Sequence, residues 1–188
     1  MKIYSHLNTG GFSNTYIIAN ENTKEAIIVD PGKISEEIIT QIEENELDLV
    51  AILITHNHGS HVFGLKTLMK IYSPKIYGAD YEIAGEETNV ITGDGSLRLA
   101  NLSIKYISLP GHTSDSIIYQ IGNVIFTGDS ISAGKLGNTN SSYSRHLLRH
   151  NIDEKIMSQQ DNTILLPEHG PPTSVGAERK FNINLSRD

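Results

Sequence analysis

The chain contains no cysteine. That absence removes disulfides, thiolate ligands and a cysteine nucleophile together, so any metal ion has to be held by His, Asp or Glu. Positive charge is scarce as well: 15 Lys and Arg stand against 22 Asp and Glu, a formal charge of −7. Binding a phosphate backbone or an anionic membrane needs a clustered basic face, so this balance argues against nucleic acid and membrane partners. No apolar run approaches the roughly 20 residues that span a bilayer, and the opening Met1-Lys2-Ile3-Tyr4 lacks the apolar stretch of a secretory signal. A cytoplasmic protein is expected. Repeats, low-complexity tracts and a clear linker are also missing, and 188 residues suit a single domain spanning 1–188 with its own core.

What the chain does have is histidine in one dense stretch. Val50 to Ile54 is a short apolar run that reads as a buried strand, and His56, His58 and His61 follow it before a helical pattern from Val62 to Tyr72. Neutral imidazole is a good ligand for zinc, iron or manganese, and His-x-His on an extended turn places two rings on one side of the chain. The plain alternative for so short a segment is a chance run of surface histidines. Ser60 falls at the expected start of the helix, where a hydroxyl commonly caps the first turn.

The flanking elements weigh against chance. Asn14 to Ala19 and Glu25 to Asp30 read as two strands around a polar hairpin loop, the second ending at Asp30-Pro31-Gly32. A carboxylate at a core strand end is costly to bury alone, so two roles stay open for Asp30: capping the turn, or orienting the histidine loop. Ile34 to Glu46 carries isoleucines at helical spacing and predicts an amphipathic helix. Lys75 to Tyr77, Leu102 to Leu109, Ser116 to Ile121, Val124 to Thr127 and Thr163 to Leu166 read as strands, Gly122-Asn123 as a hairpin turn, and the region from Ser144 to Ser158 as helix. His56, His58, His61, His112, Asp129 and His169 each lie just past a strand end beside Gly or Pro turns. Strands that end along one edge of a layered fold bring such residues together, and six ligands suffice for two ions. His6, His146 and His150 lack this setting.

The motifs resemble those of the metallo-β-lactamase superfamily, and within it the glyoxalase II-like hydrolases. Thr55-His56-Asn57-His58-Gly59-Ser60-His61 is similar to the family's Thr-His-x-His-x-Asp-His signature. Pro110-Gly111-His112-Thr113, Thr127-Gly128-Asp129, Pro167-Glu168-His169-Gly170-Pro171 and the closing Gly176 to Asn182 resemble its later motifs and the tail of its short members. The resemblance implies an αββα sandwich, two mixed β-sheets flanked by helices. It also implies His56, His58 and His112 as ligands of a first metal, His61 and His169 of a second, and Asp129 as the bridge. Thr55 and Asp30 would orient these ligands, and a metal-bound water would be the nucleophile, attacking a thioester of hydroxyacyl-thiol type. Zinc is the expected ion, one or two per chain, with iron or manganese possible.

One position departs from the pattern. Ser60 stands where the signature has Asp, and a neutral hydroxyl is a much poorer ligand for a divalent ion. The second site is therefore expected to be weak. A slower two-metal hydrolase, a one-metal enzyme, or an iron-binding sensor or redox protein with little hydrolysis all remain open. Asp115, three residues after His112, is a candidate substitute carboxylate, although a loop Asp more often serves its own backbone. For substrate contact the candidates are Lys135, Tyr143 and Arg145, in or beside the loop that follows Asp129. The chain ends soon after His169, so the C-terminal helical domain of full-length glyoxalase II is expected to be missing and with it much of the glutathione contact.

Overall fold

A computed structural model describes residues 1–9 and 11–185. The first half runs β1 (Lys2–Asn8), β2 (Ser13–Ala19), β3 (Glu25–Val29), α1 (Glu36–Glu44), β4 (Asp48–Leu53), α2 (Gly59–Val62), α3 (Leu65–Ile71), β5 (Lys75–Gly78), the small hairpin β6 (Glu82–Ile83) and β7 (Glu86–Glu87), then β8 (Asn89–Val90). The second half runs β9 (Gly95–Leu99), β10 (Leu102–Ser108), β11 (Ile117–Ile121), β12 (Val124–Gly128), the hairpin β13 (Ile131–Ser132) and β14 (Lys135–Leu136), α4 (Ser142–Lys155), β15 (Ile164–Pro167), β16 (Thr173–Ser174) and α5 (Val175–Phe181). They form two six-stranded sheets, ordered β1-β2-β3-β4-β5-β8 and β16-β15-β12-β11-β10-β9.

Alternation along the strands explains the layers. Side chains on a strand point to opposite faces with period two. Ile18, Ile27, Val29 and Leu53 therefore face the second sheet, where they meet Tyr119, Phe126 and Leu166. Their neighbours Ile17, Ile28 and Ile52 point the other way and pack on Ile38 and Ile42 of α1 and Leu65 and Leu68 of α3. On the second sheet Ile118, Ile125 and Leu165 receive Leu148 and Ile152 of α4 and Val175 of α5. The result is the αββα sandwich, each fully buried Ile or Leu contributing about 1.5–3 kcal/mol.

Several local features differ from the sequence reading, which named neither β9 nor α5 and read the β13–β14 hairpin as loop. Strand β1 was not expected, because its half-exposed residues lack a clear apolar pattern; it forms as an edge strand paired with β2 along its whole length. The helix expected from Val62 to Tyr72 is broken into α2 and α3. At Gly64 the chain turns so that its N–H donates to Pro31 O at 2.8 Å, and a Cβ there would lie 2.7 Å from the same oxygen. Ser60 is not the cap: His58 occupies that position, and Ser60 is half-buried inside α2.

Parallel pairing sets the edge on which the site forms. β3 and β4 run parallel with Val29 beside Leu53, so Asp30 and Ile54-Thr55 emerge side by side. β12 and β15 run parallel with Gly128 beside Pro167, so Asp129 and Glu168-His169 do the same. The two sheets are tied at this edge, Ile117 N–H donating to Thr55 O at 2.8 Å and Tyr119 Oη to Ile54 O at 2.8 Å. Carboxyl ends of parallel strands are where such folds gather ligands.

Two glycines are required by close approach. A Cβ on Gly32 would sit 2.0 Å from Ser60 O, so the Asp30-Pro31-Gly32 turn can lie on α2 only without one. Gly128 has φ +51° and a Cβ there would meet Thr55 Oγ1 at 2.4 Å. Gly128→Ala therefore combines left-handed strain with a clash on the residue that holds the histidine loop. A loss of about 1–3 kcal/mol is expected from chemical denaturation, and an unchanged midpoint would show that Thr55 yields freely.

Candidate metal centre

The site is built outward from Asp30, which is 2% exposed and has φ 49°. Aspartate tolerates that conformation better than most residues. Its carboxylate accepts from Thr55 N–H at 2.8 Å and Thr55 Oγ1 at 2.8 Å, and lies 3.0 Å from His61 Nδ1. A carboxylate cannot donate, so His61 carries a proton on Nδ1 and turns Nε2 to the opposite side. The same logic fixes His112, whose Nδ1 donates to Asn138 O at 2.7 Å and whose Nε2 is thereby presented inward. Thr55 Oγ1 also lies 3.2 Å from His56 Nδ1. Asp30 and Thr55 thus orient the histidine loop, and Asp30 does more than cap a turn.

Ring nitrogens and carboxylate oxygens converge in two groups. His56, His58, His112 and Asp129 form one; His61, Asp129, Glu168 and His169 form the other, the donor atoms within each lying within 4.8 Å of one another. Asp129 belongs to both. His56 Nε2 is 2.8 Å from His58 Nδ1, which is 3.3 Å from His112 Nε2, and Asp129 Oδ2 is 3.7 Å from both His112 Nε2 and His61 Nε2. His61 is fully buried, yet its Nε2 has no hydrogen-bond partner among the described residues. Orphaned buried donors and acceptors aimed at a common point are what a divalent cation satisfies, and a donor set of imidazole and carboxylate suits zinc, iron or manganese.

Electrostatics follow from this crowding. Burial, together with His61 close by, pushes His56 down to about 3, so its ring is neutral. Burial also pulls on His61, but Asp30, Asp129 and Glu168 outweigh it and raise the ring to about 10. For Asp129 burial opposes ionisation, and His61 and His169 overcome it and hold the carboxyl well below the usual carboxylate range. Glu168 is raised to about 7, by burial first and then by the Asp30 and Asp129 charges.

Glu168 is the site residue that sequence reasoning missed. It is 1% exposed, and its Oε2 lies 3.5 Å from His61 Nε2 and against His169 Nδ1. The available signal was a carboxylate beside a histidine at a strand end, in Pro167-Glu168-His169. Asp115 stands outside both groups and accepts from Asn57 N–H at 2.8 Å, so it holds the backbone of the histidine loop. A cleft of about 670 Å³ opens beside His58 and His112, walled also by Asp80, Asp115 and Asn138. A second, of about 310 Å³, is lined by His112, Asp129, His169 and Lys135. Neither Arg145, which donates to Asn184 Oδ1 at 3.3 Å, nor the exposed Tyr143 lines these two clefts. His146 and His150 are exposed on α4, and no helix among the described residues is long and apolar enough to cross a membrane.

Comparison with known proteins gives the same outline. The family model described as metallo-beta-lactamase superfamily matches residues 8–89, which include the histidine loop. An uncharacterized protein of Treponema pallidum is 30% identical over 182 residues, 95% of this chain and 97% of its own length. The hydroxyacylglutathione hydrolase of Nitrosomonas eutropha is 29% identical over 160 residues, and the match spans 84% of this chain but 62% of that enzyme. Among solved structures, BLEG-1 B3 metallo-beta-lactamase superimposes with a TM-score of 0.88 at 26% identity, covering 99% of this chain and 100% of the other. With the αββα layers, the strand-end histidines and these likenesses in agreement, the chain belongs to the metallo-β-lactamase superfamily.

Proposed function

We propose that the protein is a metal-dependent hydrolase acting on a small acyl thioester. The observation that carries this reading is the pair of donor groups sharing Asp129 at the meeting of two open clefts. In it His56, His58, His112 and Asp129 hold one divalent ion, and His61, His169 and Asp129 contribute to a second. Ions held there supply Lewis acidity and make hydroxide accessible at neutral pH. The chain does the rest. Asp30 and Thr55 keep the imidazole lone pairs aimed inward, and His112 is fixed by the Asn138 carbonyl. Lys135, at the wall of the smaller cleft, is positioned to meet an acidic group of the substrate.

A thioester is favoured because a thiolate leaves without strong acid assistance. The hydroxyacylglutathione hydrolase relative supports the same substrate class. The charge of −7 favours a small molecule over nucleic acid. Zinc is the ion we assign first, with iron or manganese compatible with the same donors. The test is a panel of acyl thioesters, esters and lactams assayed on protein reconstituted with each ion. Chelator-sensitive turnover, fastest on a thioester, is expected. Metal-loaded protein inert on the whole panel would overturn the hydrolase reading and favour an iron sensor or redox role.

A further inference from the structure

Three buried carboxylates invite comparison. Asp30 accepts from Thr55 N–H and Thr55 Oγ1 and faces His61 Nδ1. Glu178 accepts from Gly134 N–H, Thr173 Oγ1 and Asn182 Nδ2. Each is satisfied by fixed donors, as a structural carboxylate must be. Glu168 is as deeply buried, yet neither of its oxygens has a hydrogen-bond partner among the described residues; its Oε2 lies instead against His169 Nδ1 and 3.5 Å from His61 Nε2, two imidazoles of the same donor group. Its backbone is pinned on both sides, N–H to Gly128 O at 3.1 Å and O to Asn14 N–H at 2.6 Å, so the side chain is held at the edge where His61, Asp129 and His169 converge.

We infer that Glu168 is a ligand of the second ion and supplies, from the end of β15, the carboxylate that Ser60 on α2 does not. This rests on the reading that the site holds divalent ions. A buried carboxylate with no hydrogen bond is destabilising, and a cation shared with the neighbouring imidazoles offsets it. With Glu168 the second group has two imidazoles and two carboxylates; without it only three donors remain, one of them shared with the first ion.

The test titrates metal-free protein with Zn²⁺ and with Mn²⁺, reading stoichiometry by elemental analysis, affinity by chelator competition and, for Mn²⁺, coupling by electron paramagnetic resonance. Wild type should take two ions and give an exchange-coupled manganese pair. Glu168→Gln should keep one tightly held ion, bind the second at least about 100-fold more weakly and show isolated manganese. Metal-free Glu168→Gln should keep the wild-type circular dichroism spectrum, which separates a lost ligand from a lost fold. Glu168→Asp, which keeps the charge on a shorter arm, should weaken the second ion too and serves if the glutamine variant does not fold. Unchanged second-ion affinity in these variants overturns the assignment. Wild type binding one ion overturns it while leaving a mononuclear hydrolase standing, and wild type binding none sinks the metal reading itself.

Discussion

Asp129→Asn is expected to strip the site of bound metal and to lower thioester turnover at least about 100-fold. The reason is position. Asp129 alone belongs to both donor groups, standing 3.7 Å from His61 Nε2, 3.7 Å from His112 Nε2 and 2.8 Å from His169 Nδ1. Asparagine has nearly the same shape, so the carbonyl oxygen can still accept one hydrogen bond, but the negative charge that offsets two cations is gone. Removing partners that merely orient ligands costs 10–100-fold in affinity or activity, and removing the shared ligand should cost no less. Circular dichroism would establish that the variant folds, elemental analysis would count its ions, and the thioester assay would give the rate. Two retained ions with near wild-type turnover would show that Asp129 does not bridge them.

Asp30→Asn should produce the second largest effect, and it should appear in stability as well as in metal affinity. Asparagine accepts the φ of 49°, so backbone strain is not the variable. The amide nitrogen, however, cannot accept from Thr55 Oγ1 or face the protonated His61 Nδ1, so at least one buried donor loses its acceptor. A cost on the order of 3 kcal/mol is expected in urea denaturation of the metal-free protein, with 10–100-fold weaker metal binding once His61 is no longer held. The pH dependence has a definite sign. His61 is raised from 6.5 to about 10, with Asp30 the leading opponent of burial, so its contribution to metal-free stability is fully present below about 6.5 and is lost as pH rises through about 10. Asp30→Asn should flatten the stability profile across that window. A variant with wild-type slope there would mean that Asp129 and Glu168, not Asp30, hold the His61 proton.

The two variants act on different links of the same chain. Asp129 offers its oxygens directly to the cluster, whereas Asp30 acts through Thr55 and His61, one layer further into the core. Gly128→Ala lies between them, since it presses on Thr55 from the strand that carries Asp129.

How much of this was legible beforehand depended on the residue. The strands β2 to β4 and β10 to β12 were readable because buried strands need apolar or alternating residues, and Gly, Pro and Asn mark where they stop. The edge strand β1 was not, since its residues are only half covered and its pairing with β2 is a tertiary event. The break at Gly64 was hidden for a related reason: the helical pattern continues through it, and what stops the helix is the Pro31 carbonyl arriving from elsewhere. Arg145 and Tyr143 were placed near the site by proximity along the chain, but α4 carries Arg145 to Asn184 and leaves Tyr143 in solvent.

Most strands, and the His and Asp residues at their ends, could be read from the chain alone, because strand periodicity and turn chemistry are local and each of these residues sits immediately beyond a local signal; the αββα layering came from the motifs' resemblance to the superfamily. How those ends meet was settled by long-range pairing: β3 parallel to β4 and β12 parallel to β15 set Asp30 beside Thr55 and Asp129 beside Glu168. The same assembly buries Glu168 against His61 and His169 without a hydrogen bond, and puts His58 rather than Ser60 at the cap. Those facts depend on which side chains arrive from distant strands, and burial and hydrogen-bond satisfaction are properties of that assembly, with no periodic trace in the chain.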